Sequence, residues 1–264
     1  MEHPERRFEN KESVGRDIEV VIHFMRHGPK DEEGKLTKEG AVAAQETGGR
    51  MSDRETMKFY ISDRARVRDT AEAIIKGAQL TKTMRTRVRA ELSMGSLELK
   101  RGQSKFFKKV RKEKTEKVSE VPTELREQAL AQTEMEYVQE WLDYDTRRPD
   151  ENTAAPQEVA QNVAGLIDTY IRMADRLKSG SRVDLVNVTH DFMMAALIKY
   201  LLSKKEDSGT TERGGTILKN LGRIRPLEDL QIIVKLNAVG EKSIEVFLRG
   251  EQYDLDINQL KNFL

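Results

Sequence analysis

Apolar residues fall into short runs, separated by longer polar stretches with helical spacing. The run IEVVIHFM (18–25) is mostly apolar and rich in β-branched residues, which predicts a strand buried in a parallel sheet. LTKEGAVAAQETGGRM follows it with good helix formers; Thr37 is a candidate N-cap, and Gly48 and Gly49 predict where the helix stops. MKFYIS (57–62) reads as a second strand, and DRARVRDTAEAIIKGA as a helix with an apolar side of Ala65, Ala71, Ile74, Ile75 and Ala78. MRTRVRAEL is a third, more polar strand or extended segment. Residues 156–180 carry Val159, Val163, Leu166, Ile167, Tyr170, Ile171 and Ala174 at helical spacing. RVDLVNVTH is again strand-like, and DFMMAALIKYLL helical. LQIIVKLNAVGEKSIEVFLRG predicts two strands about a turn at Val239, Gly240 and Glu241. Strands alternating with helices predict an α/β fold, a three-layer sandwich with a mainly parallel sheet and helices on both faces.

Residues 96–155 break this rhythm. From Lys100 to Lys117 there are nine basic and two acidic residues; from Val118 to Glu158, eleven acidic and three basic. A basic segment followed by an acidic one predicts a helical hairpin, inserted as a lid over the sheet. Within it, KFFKKVRKEK (105–114) offers basic residues and two aromatics, a pattern that can grip single-stranded nucleic acid. The favoured reading is an amphipathic helix that buries Phe106 and Phe107, because the acidic segment can neutralise its charge.

Composition narrows the function classes. The charged fraction is 34%, yet 46 basic and 45 acidic residues nearly cancel, which argues against a surface tuned as a whole to nucleic acid or anionic membrane. With no cysteine, disulfides, thiol catalysis and thiolate metal sites are excluded, which suits a cytoplasmic protein. No stretch approaches the roughly 20 apolar residues of a membrane helix. Residues 1–17 have no apolar core, so they read as a flexible charged extension rather than a secretory signal, and residues 18–264 as one domain carrying the insertion.

The candidate chemistry lies where strands end. In an open α/β sheet, ligands bind beyond the carboxyl ends of the strands. Arg26 and His27 follow the first strand, Arg66 the second, Glu91 the third, and His190 follows RVDLVNVT. Guanidinium groups match phosphate oxygens. A neutral imidazole can attack phosphorus and carry the phosphoryl group. A second imidazole can donate to the phosphoryl oxygens as charge shifts, and a carboxylic acid can protonate the leaving oxygen. Gly28 would let the backbone turn tightly beside an anion. Nothing here supplies three or four convergent metal ligands, so a metal-free, cofactor-free reaction is expected.

These motifs resemble, in order, those of the histidine phosphatase superfamily, which includes phosphoglycerate mutases and many phosphatases. FMRHG resembles its Arg-His-Gly signature, LTKEGAVAA its Leu-Thr-x-x-Gly helix start, and SDRARVRDTAEAI the segment with the second phosphate arginine. ELSMG resembles the segment carrying the proton donor in the mutase-like branch, and VTHD the second-histidine motif. The resemblance implies that His27 is the nucleophile, that Arg26 and Arg66 grip phosphate, that Glu91 is the donor, and that His190 completes the pocket. The register of Thr70 and Ala71 selects Arg66 over its rivals Arg64 and Arg68.

Two departures qualify the resemblance. Only eight residues, GPKDEEGK, separate His27 from Leu36, without the Asn and Gly of the longer mutase loop, which favours a phosphatase over a mutase. Asp191, directly after His190, is similar to the donor of the acid-phosphatase branch and is the alternative to Glu91, unless it caps the helix it opens. The expectation is hydrolysis of a phosphomonoester, on a small molecule or a phosphoprotein, through a phosphohistidine. The rivals are a mutase and a non-catalytic protein that binds partners through the charged insertion. His23, inside the first strand, is expected to be structural; His3 lies in the extension; Met193 and Met194 read as core. Lys30 is either a substrate contact or solvated.

Overall fold

The computed structural model describes residues 15–31, 33–51, 56–80, 86–93, 104–205 and 211–264. His3, most of the N-terminal extension and residues 96–103 of the insertion lie outside the described residues. At Arg16, just before the first strand, the chain is tied down. The Arg16 N–H donates to Ser179 Oγ at 2.9 Å, and its carbonyl accepts from the Gly180 N–H at 2.9 Å.

Strand β1 (Ile18–Arg26) is central. It pairs in parallel with β4 (Arg182–Thr189) on one side and antiparallel with β7 (Asp229–Leu236) on the other. β2 (Thr56–Ile61) lies beyond β4, and the two-residue β3 (Arg87–Val88) forms the edge. Beyond β7 come β8 (Lys242–Leu248) and β9 (Glu251–Leu255), then β5 (Leu202–Lys205) and β6 (Thr211–Arg213). Among the described residues the sheet order is β3-β2-β4-β1-β7-β8-β9-β5-β6. The half that reads β3-β2-β4-β1 is parallel, and everything from β7 outward is antiparallel.

The sandwich follows from period-two alternation. Ile18, Val20, Ile22 and Phe24 enter one core, against α5 (Pro156–Ala174) and α6 (Asp191–Leu201). Met25 enters the opposite core with Phe59, Val186 and Val188, against α1 (Lys38–Arg50) and α2 (Ala65–Gly77). Each fully buried aliphatic or Phe side chain of this kind contributes about 1.5–3 kcal/mol. α7 (Gly214–Leu221) and the short α8 (Ile257–Asn262) complete the α5–α6 side. No helix among the described residues is long and apolar enough to cross a membrane.

Thr37 caps α1, its hydroxyl accepting from the Gly40 N–H at 3.0 Å. The helix does not stop at Gly48 and Gly49 but runs on to Arg50. Gly48 is there for contact: a Cβ at that position would sit 2.0 Å from the Ile74 carbonyl oxygen of α2. The third strand is also shorter than its sequence suggests, because a 3-10 turn at Ala90–Leu92 takes over after Val88.

The insertion contains α3 (Lys105–Ser119) and α4 (Arg126–Leu142), packed as a hairpin. Lys109, Lys114 and Lys117 reach Glu140, Glu134 and Glu136 at 2.9, 2.6 and 2.8 Å. Exposed pairs such as Lys109–Glu140 and Lys117–Glu136 are screened by solvent and add little to stability. Docking onto the sheet domain is apolar: Phe106, Val110, Tyr137, Trp141 and Leu142 are buried in its core. Phe107 and Trp141 both stack edge-on against Phe192 of α6. The two aromatic rings of KFFKK thus face the protein rather than solvent.

Candidate active site

Strand register assembles the site. In the parallel pair β1–β4, Arg26 lies beside Thr189, so the next residues, His27 and His190, emerge side by side at the carboxyl edge. Their rings stand edge-on with centroids 5.3 Å apart. β2 flanks β4 with Ile61 beside Val188, which brings Ser62 to His190: its Oγ lies 3.0 Å from Nε2. α2 begins three residues later and delivers Arg66 from its first turn. Arg66 Nε donates to His27 Nε2 at 2.9 Å, and its Nη2 lies 3.4 Å from His190 Nδ1. Burial, and then the charge of Arg64, lower the pKa of the Arg66 guanidinium.

His27 is held in one tautomer. Its Nδ1–H donates to its neighbour's carbonyl, Gly28 O, at 2.7 Å, so the lone pair is on Nε2, where it accepts from Arg66. Burial, and then the Arg66 cation, pull its pKa from the ordinary 6.5 down to about 4. The imidazole is therefore neutral at physiological pH. The Gly28 N–H donates to Thr70 Oγ1 at 3.1 Å, and a Cβ there would lie 2.6 Å from Leu36 Cδ1, so the Leu36 side chain would have to move to admit one. The loop after it is closed by a bridge between Lys30 and Leu36 and by a turn at Gly34, whose φ is +82°.

The carboxyl standing in this constellation is Asp191, the first residue of α6. It pairs with Arg26 Nη2 at 3.0 Å and accepts from the Phe192 N–H at 2.9 Å. Burial opposes its ionisation, but Arg26 and the neighbouring positive groups together outweigh burial and hold it below the ordinary carboxylate range. Its charge also reaches His27, Arg66 and Lys30. Glu91 sits in the 3-10 turn, more than a third exposed, with Arg89 at 3.9 Å. That turn is anchored beside the site, since Thr189 Oγ1 donates to Leu92 O at 2.9 Å.

Arg26 is buried and reaches beyond the motif residues. Its Nη1 donates to Ile224 O, and its Nη2 meets Glu134 Oε2 of α4 at 3.1 Å. Glu134 and Arg223, which also pairs with Glu134, escape a reading of sequence motifs, whereas Ser62 opens the motif that contains Arg66 without being given a role of its own. Ser62 could have been found from its place at the end of the second strand. Nothing local marks Glu134 among the many acids of its helix. His23 lies apart from the site: its Nδ1 is 2.7 Å from Asp229 Oδ2 and its Nε2 3.7 Å from Asp184 Oδ2. Among the described residues, no group of three or more His, Asp or Glu side chains could hold a metal ion.

Residues 22–120 match the family model of the histidine phosphatase superfamily (branch 1). No curated protein matches the chain. Among solved structures, a phosphoglycerate mutase from Bacillus anthracis str. Sterne is similar at 18% identity and a TM-score of 0.50, over 94% of this chain and 97% of that one. A mycobacterial glucosyl-3-phosphoglycerate phosphatase is similar at 18% identity and a TM-score of 0.46, over 90% and 97%. The Arg-His-Gly strand end lies inside the matched segment, so the similarity to the histidine phosphatase superfamily includes that part of the site.

Proposed function

We propose that the protein hydrolyses phosphomonoesters through a phosphohistidine on His27. The observation that carries this reading is the neutral imidazole fixed by the Gly28 carbonyl, with Nε2 aimed at Arg66. In the first step Nε2 attacks phosphorus, the bond from phosphorus to the leaving oxygen breaks, and a carboxyl protonates that oxygen. Arg26, Arg66 and His190 hold the phosphoryl oxygens. In the second step water attacks the phosphohistidine, the same carboxylate takes its proton, and inorganic phosphate leaves with His27 restored.

Position supports Asp191 as the carboxyl. It already contacts Arg26, whereas Glu91 faces Arg89. Asp191 is ionised at rest, so it serves as an acid only when the bound phosphoryl charge competes for Arg26 and raises its pKa. Glu91 keeps the support of its motif and of its turn's anchorage at Thr189. The short loop between His27 and Leu36 supports water, rather than a bound sugar acid, as acceptor.

Purified protein assayed against phosphorylated metabolites, nucleotides and phosphopeptides should release inorganic phosphate from at least one class. Return of the phosphoryl group to the substrate instead would make it a mutase. The donor is read from the ratio of alkyl to nitrophenyl phosphate turnover, because only the alkoxide needs a proton. General acid catalysis is worth about 10²–10⁴-fold. Asp191→Asn should lose that factor selectively on alkyl phosphates; the same selective loss in Glu91→Gln would move the role to Glu91.

A further inference from the structure

Three cations converge on one carboxylate of the insertion. Glu134 Oε2 lies 3.1 Å from Arg26 Nη2 and 2.8 Å from Arg223 Nη2, and Oε1 lies 2.6 Å from Lys114 Nζ. The carboxylate is largely buried. Burial opposes its charge, but Arg26, Lys114 and Arg223 outweigh burial and hold its pKa near 2. Such a site is built for an anion, and its central cation is the arginine of the Arg-His-Gly motif.

The guanidinium edge matters. Nε and Nη2 form the side on which an arginine takes an oxyanion in two-pronged fashion. In Arg26 the Nη2 half holds Glu134 and Asp191, while the buried Nε has no hydrogen-bond partner among the described residues. A phosphoryl dianion arriving at this edge meets a cation already neutralised by two carboxylates. Asp191 is anchored as the first residue of α6 by the Phe192 N–H. Glu134 belongs to the hairpin, and a cavity of about 490 Å³ opens between α4 and α7, bordered by Glu134, Asp191, Arg26 and Arg223. Asp191 is tied to the backbone of its own helix, whereas Glu134 is held by side chains, so Glu134 is the carboxylate that can swing into this space.

We propose that Glu134 is an internal anion that occupies the phosphate-binding arginine Arg26 and is displaced when a phosphorylated ligand binds, so that the insertion sets the affinity of the site. This rests on the reading of Arg26 as a phosphate ligand. Glu134 then determines specificity: ligands whose anionic groups can replace it on Arg26, Arg223 and Lys114 are selected over weaker anions.

The test is calorimetric titration of the full chain with inorganic phosphate, which needs no turnover. Glu134→Gln keeps the shape of the side chain and removes its charge; Glu134→Ala removes both. Phosphate should bind about tenfold or more tightly to either variant than to the wild type. Phosphate should also raise the melting temperature of the variants more than that of the wild type, because it restores the missing anion. Adding Arg26→Ala to Glu134→Gln should abolish the gain. Unchanged or weaker phosphate binding in Glu134→Gln overturns the proposal and makes the carboxylate a support for Arg26. Tighter binding without wild-type turnover would reject the hydrolase and keep the anion exchange; turnover that needs His27, with no change in phosphate affinity, would do the reverse.

Discussion

His23 and His27 lie on one strand, four residues apart, and are buried to almost the same degree, at 5% and 4% exposure. Burial disfavours the charged imidazole in both. The neighbours then send them in opposite directions. His27 emerges at the strand end among Arg66 and Arg26, and its pKa falls to about 4. At His23 burial is opposed by Asp229 and Asp184, which together push the pKa up to about 9. Depth alone therefore says nothing about the charge of a core histidine. The sheet's strand order decides it, by bringing a second acid-bearing strand to each side of His23 and a helix with an arginine to His27.

The largest effect that tests the contrast is on turnover. His27→Asn should reduce phosphatase kcat by about 10³-fold or more, as loss of a covalent nucleophile does. His23→Asn should leave kcat within a few-fold at a temperature where the variant is folded. A chelator should leave the wild-type rate unchanged. If His23→Asn and His27→Asn lost activity equally, the division into a working and a structural histidine would be wrong.

The second effect is on stability, and the two histidines act at opposite ends of the pH range. The folded pKa of His23 lies above the ordinary 6.5, so its contribution is complete below about 6.5 and is lost as pH rises through 9. The folded pKa of His27 lies below 6.5, so its contribution is complete above about 6.5 and is lost as pH falls through 4. Each shift corresponds to something on the order of 3 kcal/mol. Denaturant titrations from pH 4 to 9 should show His23→Asn flattening the alkaline limb and His27→Asn the acid limb.

The parts of this contrast were unequally legible. His27, His190 and Arg66 could be placed because each follows a recognisable strand, and parallel register does the rest. The apolar alternation of IEVVIHFM put His23 inside the sheet, but not between carboxylates. Asp184 and Asp229 lie on strands distant in sequence, and only the order β4-β1-β7 makes them neighbours. Glu134 was hidden for a related reason: among eleven acids between Val118 and Glu158, which one reaches Arg26 depends on how a hairpin docks. The charge blocks announced Lys–Glu pairing across that hairpin, but gave no hint that one of those glutamates also holds a motif arginine. The antiparallel outer strands β9, β5 and β6 were missed because they are short and largely polar, with little alternation to read.

The third effect is on His27 alone. Arg66→Ala removes the second cause of its low pKa and leaves the first, burial. Its ring titration, followed by NMR, should move up from about 4 while staying below 6.5. No movement would mean that burial alone sets the value and that the Arg66 contact is electrostatically idle.

The smallest effect separates the two acids at His23. Asp229 meets Nδ1 at 2.7 Å, a charge-assisted hydrogen bond, whereas Asp184 stands 3.7 Å from Nε2. The Asp229 charge is the larger of the two influences that raise the pKa. Asp229→Asn should therefore lower the His23 pKa further than Asp184→Asn. With Asp229→Asn burial is opposed by one acid at the longer distance, so His23 should titrate well below 9 and the alkaline loss of stability should begin to disappear. With Asp184→Asn the short bond survives, and most of that loss should remain. The measurement is the His23 ring titration in both variants, paired with stability at pH 6.5 and 9. Equal shifts would mean that the two carboxylates share the proton on His23 symmetrically, and a larger shift in Asp184→Asn would make the closer acid the weaker partner.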